Sequence, residues 1–214
     1  MNRETLLVAV IALLIGGIFG YIISEKSDYG YHWGGQGMMD DDNFLGGMHG
    51  RNIDDQSGYY NKNMGNMMRM VVSSEREFIE EMIPHHQEAV DTAKEVIARG
   101  GTTPAIKQLA ENIVATQEKE IADMKQWYQA WYGVEYKSNN NYRPMMRDLK
   151  SLSGADLDKV FLEDMIMHHM GAIMMSRSVQ PYIKHSEMDG LTQNIVSSQA
   201  KEISEMRQML EGFN

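Results

Sequence analysis

The sequence predicts an all-α protein: a four-helix bundle built from two repeated helical hairpins, preceded by an N-terminal transmembrane helix and a flexible linker. Three observations predict it. "FIEEMIPHHQEAV" (Phe78 to Val90) returns 83 positions later as "FLEDMIMHHMGAI" (Phe161 to Ile173). "NIVATQEKEIADMKQ" (Asn112 to Gln126) returns as "NIVSSQAKEISEMRQ" (Asn194 to Gln208), offset by 82. Apolar residues in all four segments recur at helical spacing, so each copy is a pair of amphipathic helices, and two such pairs bury their stripes by packing together.

The elements follow in chain order. Leu6 to Ile23 (LLVAVIALLIGGIFGYII) carries no charge. As a helix it spans about 27 Å, enough for a bilayer core. Gly20, Tyr21, Ile22 and Ile23 offer no small-x-small cleavage site, so residues 1–23 read as an uncleaved single-pass anchor of the cell membrane rather than a signal peptide, with the bulk of the chain extracytoplasmic. Residues 24–72 form a Gly/Met-rich linker with no sustained period. It holds Met38, Met39, Met48-His49 and Met64-x-x-Met67-x-x-Met70, a spacing similar to the methionine motifs of extracytoplasmic copper proteins. With His32 and His49 these could hold a soft cation loosely; a tether with incidental Met residues is the competing reading.

Residues 73–214 form the bundle, with repeats at 73–133 and 153–212. Ser74-Glu75-Arg76-Glu77 has the form of a capping box, and the first helix runs to about Arg99, ending at Gly100-Gly101. Thr103 caps the second, with Pro104 at its first position, and Gly133 ends it. A long connection over 137–152 contains Asn139-Asn140-Asn141 and Pro144. Ser153 caps the third helix, which ends near Pro181; the fourth runs from about Ser186 to Leu210. Pro84 lies inside the first helix, where it would kink the helix or leave the carbonyl of Glu80 unbonded. Trp127, Tyr128, Trp131 and Tyr132 read as packing at a bundle end.

Composition narrows the function. The formal net charge is −10, with no basic stripe, which argues against nucleic acid as a partner. There is no Cys, which excludes disulfides, thiolate metal sites and lipoprotein attachment. There are 20 Met, more than there are Leu. Met is a flexible core filler and also a soft thioether ligand suited to Cu(I) and its relatives.

At 100° per residue, the apolar stripe of the first helix holds Phe78, Met82, Ala89, Val90, Ala93 and Ile97, with His86 in its middle. His85 falls at the stripe's edge, beside Glu81 and Glu88. On the third helix Phe161, Met165, Ala172 and Ile173 surround His169, and His168 sits at the edge near Asp164 and Met175. Gln117, Glu120 and Met124 lie centrally on the second helix; Gln199, Glu202 and Met206 do so on the fourth. A carboxylate aimed into a core is costly unless paired or bound to metal. The same cost appears in both copies, opposite His. A buried His–Glu hydrogen bond at each site would satisfy those groups without metal. Met82-x-x-His85 and Met165-x-x-His168, one helical turn apart, favour metal instead. Met167, Met170 and Met174 fall on a face away from the stripe.

Thioethers with imidazole favour Cu(I) or Ag(I), with Cu(II) possible at His-rich positions. A di-iron enzyme of the ferritin type needs Glu-x-x-His on two helices, and here Met82 and Met165 replace that Glu. A zinc enzyme and a metal-free envelope interaction module also compete with copper as readings of the pattern. No nucleophile stands with a base at a recognisable spacing, and there is no phosphate loop, so no catalytic residue is assigned.

"FIEEMIPHHQEAV" with "QEKEIADMKQW" downstream resembles the bacterial domain-of-unknown-function family 305, over about Ser73 to Leu210. The resemblance implies a ferritin-like four-helix fold, often exported, and, from its characterised members, copper and silver binding used in metal resistance. The family signature falls on Met82, Ile83, Pro84, His85 and His86, and on Met165, Ile166, Met167, His168 and His169. The family's further Met, seven residues after the first His, is kept as Met175 but is Thr92 in the first copy. The first half-site is therefore expected to be poorer in sulfur.

The reading is thus an extracytoplasmic protein sequestering or relaying copper or silver, for copper homeostasis or resistance. One half-site would comprise Met82, His85, His86 and Met124; the other Met165, His168, His169, Met175 and Met206. Glu120 and Glu202 would neutralise charge or ligate. The expected partners are metal ions, the membrane, and either a second copy of the chain or a metal-exchange protein.

Overall fold

A computed structural model describes residues 70–138 and 141–213, all within one compact unit, Asn52–Asn214. The anchor (1–23) and all of the linker before Met70 lie outside the described residues. Among the described residues there are four α-helices and no strand, and no helix is long and apolar enough to cross a membrane.

α1 spans Glu75–Arg99. Ser74 caps it, its Oγ accepting from the Glu77 backbone N–H at 3.1 Å. Glu77 reaches back one residue further than a standard capping box, accepting from the N–H and hydroxyl of Ser73, both at 2.8 Å. The helix continues through Pro84 without interruption. α2 spans Pro104–Tyr132, with Thr103 Oγ1 accepting from Ile106 N–H and Pro104 at the first turn. Gly133 ends it in the left-handed region (φ 70°), a conformation that other residues adopt only under strain. α3 spans Gly154–Val179 and passes through a short 3₁₀ turn, Gln180–Tyr182, forced by Pro181. Ser153 precedes α3 but makes no side-chain cap. α4 spans Ser186–Glu211.

α1 packs along α2, α3 along α4, and α1 against α3; α2 and α4 close the remaining side more loosely. The apolar interior is divided into two clusters. One gathers Phe78, Ile79, Met82, Met124, Tyr128, Met175, Val179 and Met188. The other gathers Val96, Ile106, Leu157, Phe161, Leu162, Met165, Ile203 and Met206. Phe78 and Phe161, equivalent in the two copies, are fully buried, each contributing about 2–3 kcal/mol of transfer free energy. The Trp127–Trp131 stack and Tyr128 pack at the end of the first cluster, in keeping with the aromatic run closing one end of the bundle.

Reciprocal carboxylates hold the two hairpins together. Glu75, in the first turn of α1, accepts from the backbone N–H groups of Lys184 (2.7 Å) and His185 (2.9 Å), and its other oxygen meets His185 Nδ1 at 2.8 Å. Asp158, its equivalent in α3, accepts from the N–H groups of Gly101 and Thr102 and from the Thr102 hydroxyl, at 2.6–2.7 Å. Each hairpin therefore supplies the anion that satisfies the turn of the other. The start of α1 meets the end of α3 and the start of α3 meets the end of α1, so α1 and α3 run antiparallel.

That arrangement obliges the connection between α2 and α3 to travel the length of the bundle. Two carboxylates pin it. Glu88 on α1 accepts from Met145 N–H (2.9 Å), Met146 N–H (3.0 Å) and the Tyr142 hydroxyl. Asp164 on α3 accepts from Arg147 N–H at 2.7 Å and from its guanidinium. Arg99 donates to the Leu149 and Leu152 carbonyls near the connection's end.

These carboxylates should be felt in unfolding. Asp158→Ala removes the acceptor of three part-buried hydrogen bonds and should destabilise the bundle by about 1–3 kcal/mol in urea unfolding. Burial raises the Glu75 carboxyl, but the N–H groups of Lys184 and His185, with the His185 ring, outweigh it and hold it below 4.5. A carboxyl lowered in the folded state binds fewer protons there than when unfolded, so its stabilisation is present above about pH 4.5 and is lost as pH falls through the lowered value. Glu75→Gln should flatten that acid limb of the stability curve without abolishing folding at neutral pH.

Candidate metal centre

A polar layer crosses the bundle between the two apolar clusters. His85, His86, His168 and His169 are all 0 % exposed. The expectation that each pair has one inward and one edge member holds only for the direction of the rings. His86 and His169 face α2 and α4. His85 and His168, at the stripe edges, face each other where α1 crosses α3, with ring centroids 3.6 Å apart and planes tilted by 31°. A helix edge is buried when another helix packs on it, and a single helical wheel cannot show that.

His86 Nε2 lies 2.8 Å from Glu120 Oε2, and His169 Nε2 lies 2.6 Å from Glu202 Oε2. In a neutral ring whose Nε2–H donates to the carboxylate, Nδ1 presents its lone pair. Both Nδ1 atoms are buried without a hydrogen-bond partner. Glu120 and Glu202 thus orient imidazoles, as carboxylates do behind metal-binding His.

The inner pair is less satisfied. Neither ring nitrogen of His85 has a hydrogen-bond partner. His168 Nδ1 has none either, and its Nε2 lies 3.5 Å from Glu88 Oε2, too long for a well-formed bond. Burial holds the His85 pKa well below 6.5, reinforced by His168, His86 and His169. Burial also lowers His168, opposed by Glu88. Burial thus disfavours the protonated form of both rings, which leaves their nitrogen lone pairs available as ligands. The Glu88 carboxyl is raised by burial, but His168, Tyr142 and the Met146 N–H outweigh this and keep it low. A hydrogen-bonded His–Glu pair explains one nitrogen of each outer ring; it leaves the other nitrogens and the whole of His85 unexplained. A buried polar atom without a partner costs about 1–3 kcal/mol, so repeated orphans in one layer point to an occupant.

Among the described residues, no three or more of His, Asp and Glu converge closely enough to hold a metal ion. Thioethers lie on both sides of the layer, but not in the predicted grouping. Met82 and Met124 share their cluster with Met175, whereas Met165 and Met206 lie in the other. Proximity in sequence assigns Met175 to the second half-site, whereas its side chain packs in the cluster of Met82 and Met124. Because α3 runs antiparallel to α1, a residue two turns beyond His168 moves towards Met82. Met175 therefore packs with Met82 and Met124 rather than with Met165 and Met206. All five of these Met side chains are buried.

Sequence reasoning missed Tyr142, Met145 and Met188. Met188 is fully buried in the first cluster. Tyr142 and Met145 lie on the irregular connection, where no periodicity marks a residue as inward. Met167, Met170 and Met174 do occupy the expected face away from the stripe; however, that face is covered, with Met70 and Met145 packed against it.

Comparisons with known proteins identify the family and the fold. The family model described as "Domain of unknown function (DUF305)" matches residues 32–128 and 75–210. CopM in its Cu(II)-bound form is 35% identical, with a TM-score of 0.60 over 67% of this chain and 100% of that chain. CopM in its Cu(I)-bound form is 36% identical, with a TM-score of 0.59 over 66% of this chain and 99% of that one. A putative secreted DUF305 protein from Streptomyces coelicolor is 25% identical, with a TM-score of 0.58 over 65% of this chain and 93% of that one. No curated protein sequence matches the chain. The duplicated His-His hairpins, their crossed packing and these matches place the chain in the DUF305 family, as a CopM-like member.

Proposed function

We propose that this protein binds monovalent copper or silver in the imidazole layer of its bundle, using thioethers from the flanking clusters, and serves copper homeostasis or resistance. The observation that carries the proposal is the face-to-face pair His85 and His168, fully buried, with none of the four ring nitrogens in a well-formed hydrogen bond. CopM, which shares the fold and about a third of the aligned residues, has been solved with Cu(I), with Cu(II) and with silver. Neutral thioether and imidazole ligands suit a soft monovalent cation, because they supply polarisable electron pairs without the negative charge a harder ion demands. The lack of Cys suits an oxidising compartment, where a thioether cannot be lost to disulfide formation.

The proposal extends to location. The uncharged stretch Leu6 to Ile23 would tether the chain to the cell membrane, with the bundle on the extracytoplasmic side. The role is sequestration or relay rather than catalysis, with metal exchanged to a partner protein or between copies of the chain.

Replacing His85 and His168 together by Leu tests the metal reading. The change removes orphaned polar atoms, so the metal-free variant should be as stable as the parent or more so. Its Cu(I) affinity, read by competition with a chromogenic chelator, should fall at least tenfold. A variant that binds Cu(I) as tightly as the parent sinks the proposal. Added Ag(I) should raise the parent's Tm in a concentration-dependent way, by the usual linkage of ligand to the native state; Zn(II) at equal concentration should do so far less. Separation of cell membranes from the soluble fraction, with and without residues 1–23, tests the tether.

A further inference from the structure

The two copies are nearly superimposable in sequence around the His pair, but they differ at four successive positions of one face. Pro84, Gln87, Glu88 and Asp91 in the first copy correspond to Met167, Met170, Gly171 and Met174 in the second. Three thioethers and a glycine replace one carboxamide, two carboxylates and a proline. The outer face of α3 therefore differs in kind from that of α1.

The chain brings two more thioethers to that face. Met145 and Met167 are buried there, and Met70, Met170 and Met174 pack against them. The two core clusters mix Met with Phe, Ile, Leu and Val; this third one consists of Met alone. Packing does not require that, since the equivalent face of α1 manages with polar residues. The two imported residues are held in place. Met145 donates its N–H to Glu88, and Val72, two residues after Met70, donates its N–H to Ser178 Oγ at 3.0 Å.

Gly171 makes the arrangement possible. A Cβ at this position would lie 2.5 Å from Met70 Sδ, 3.3 Å from Met70 Cε and 3.2 Å from His85 Nε2. The sulfur of Met70 and the free nitrogen of His85 thus converge on the space a side chain would fill. On the other half of the bundle the equivalent residue is Glu88, whose Oε2 lies 3.5 Å from His168 Nε2. One imidazole of the central pair faces a carboxylate, and the other faces a thioether.

We infer that Met70, Met145, Met167, Met170 and Met174 form a second, all-thioether site for a soft monovalent cation on the outer face of α3, joined to the central layer where Met70 meets His85. The inference rests on the proposed copper and silver chemistry of that layer. Five neutral sulfurs hold Cu(I) or Ag(I) but compete poorly with water for Zn(II) or Cu(II). Flexible Met side chains turn from packing to ligation with little reorganisation. Two of the five come from irregular segments, so the cation would tie the connection and the end of the linker to α3.

The test uses the full chain in detergent, labelled with ¹³C at the Met methyl groups and titrated with Ag(I), followed by NMR. The methyl signals of Met70, Met145, Met167, Met170 and Met174 should move together, and Zn(II) should leave them in place. The Met167→Leu, Met170→Leu, Met174→Leu variant keeps side-chain volume and should bind one Ag(I) fewer, while the Met82 and Met165 signals still respond. Should that variant fail to fold, Met170→Gln with Met174→Asp installs the first copy's own residues at two half-buried positions and should show the same loss. Response of Met82 and Met165 with no movement of the five overturns the second site and leaves the central one standing. Movement of the five alone overturns the central reading instead. Silence of all seven, or an unchanged Ag(I) count in either variant, removes the second site.

Discussion

The antiparallel crossing of α1 on α3 is the contact on which the rest of this structure depends. It brings His85 and His168 to a centroid separation of 3.6 Å in a region without solvent. Two neutral imidazoles so placed gain some ring contact, but they forfeit the hydrogen bonds water would give them. The outer pair, His86 and His169, is treated differently, each ring being held by a carboxylate from the second helix of its own hairpin. The result is a layer with four oriented rings, in which the least satisfied nitrogens are at the centre.

A layer of this kind weakens the bundle's middle, and compensation is found at the ends and along one side. Glu75 and Asp158 close the two ends by serving turns of the opposite hairpin. Glu88 and Asp164 fasten the long connection across the side where α1 meets α3. All four carboxylates sit on α1 or α3, the helices that carry the His pairs. The acidic balance of the chain therefore has a structural component: these anions satisfy backbone N–H groups that would otherwise be left orphaned.

Duplication makes the two halves similar, and the departures from similarity are instructive. Glu88 and Gly171 occupy equivalent places beside the central rings, yet one supplies an anion and the other leaves room that Met70 fills. The connection is anchored to α1 by Glu88 and, in the same stroke, sets Met145 against the outer face of α3. Antiparallel packing also exchanges sulfur between halves, which is why Met175 joins Met82 and Met124 rather than Met165 and Met206. Sequence order is a poor guide to ligand grouping in any bundle whose paired helices run in opposite directions.

The fold was legible in the sequence because helical periodicity, caps and glycine stops are local signals. Ser74, Thr103-Pro104 and Gly133 mark helix ends within a residue of where they occur. The Glu120 and Glu202 partners of the outer rings were also foreseeable, since a carboxylate on an apolar stripe must be satisfied by something facing it. Other features depended on contacts between distant segments, which one helix at a time cannot reveal. Burial of His85 and His168 needed α3 laid across α1. The regrouping of Met175 needed the direction of that crossing. The methionine cluster needed an irregular connection and the end of the linker, whose residues carry no period to say which way they face. The residue types capable of soft-metal chemistry were thus determined by the amino-acid sequence, whereas their grouping was decided by the antiparallel packing of two copies of one hairpin.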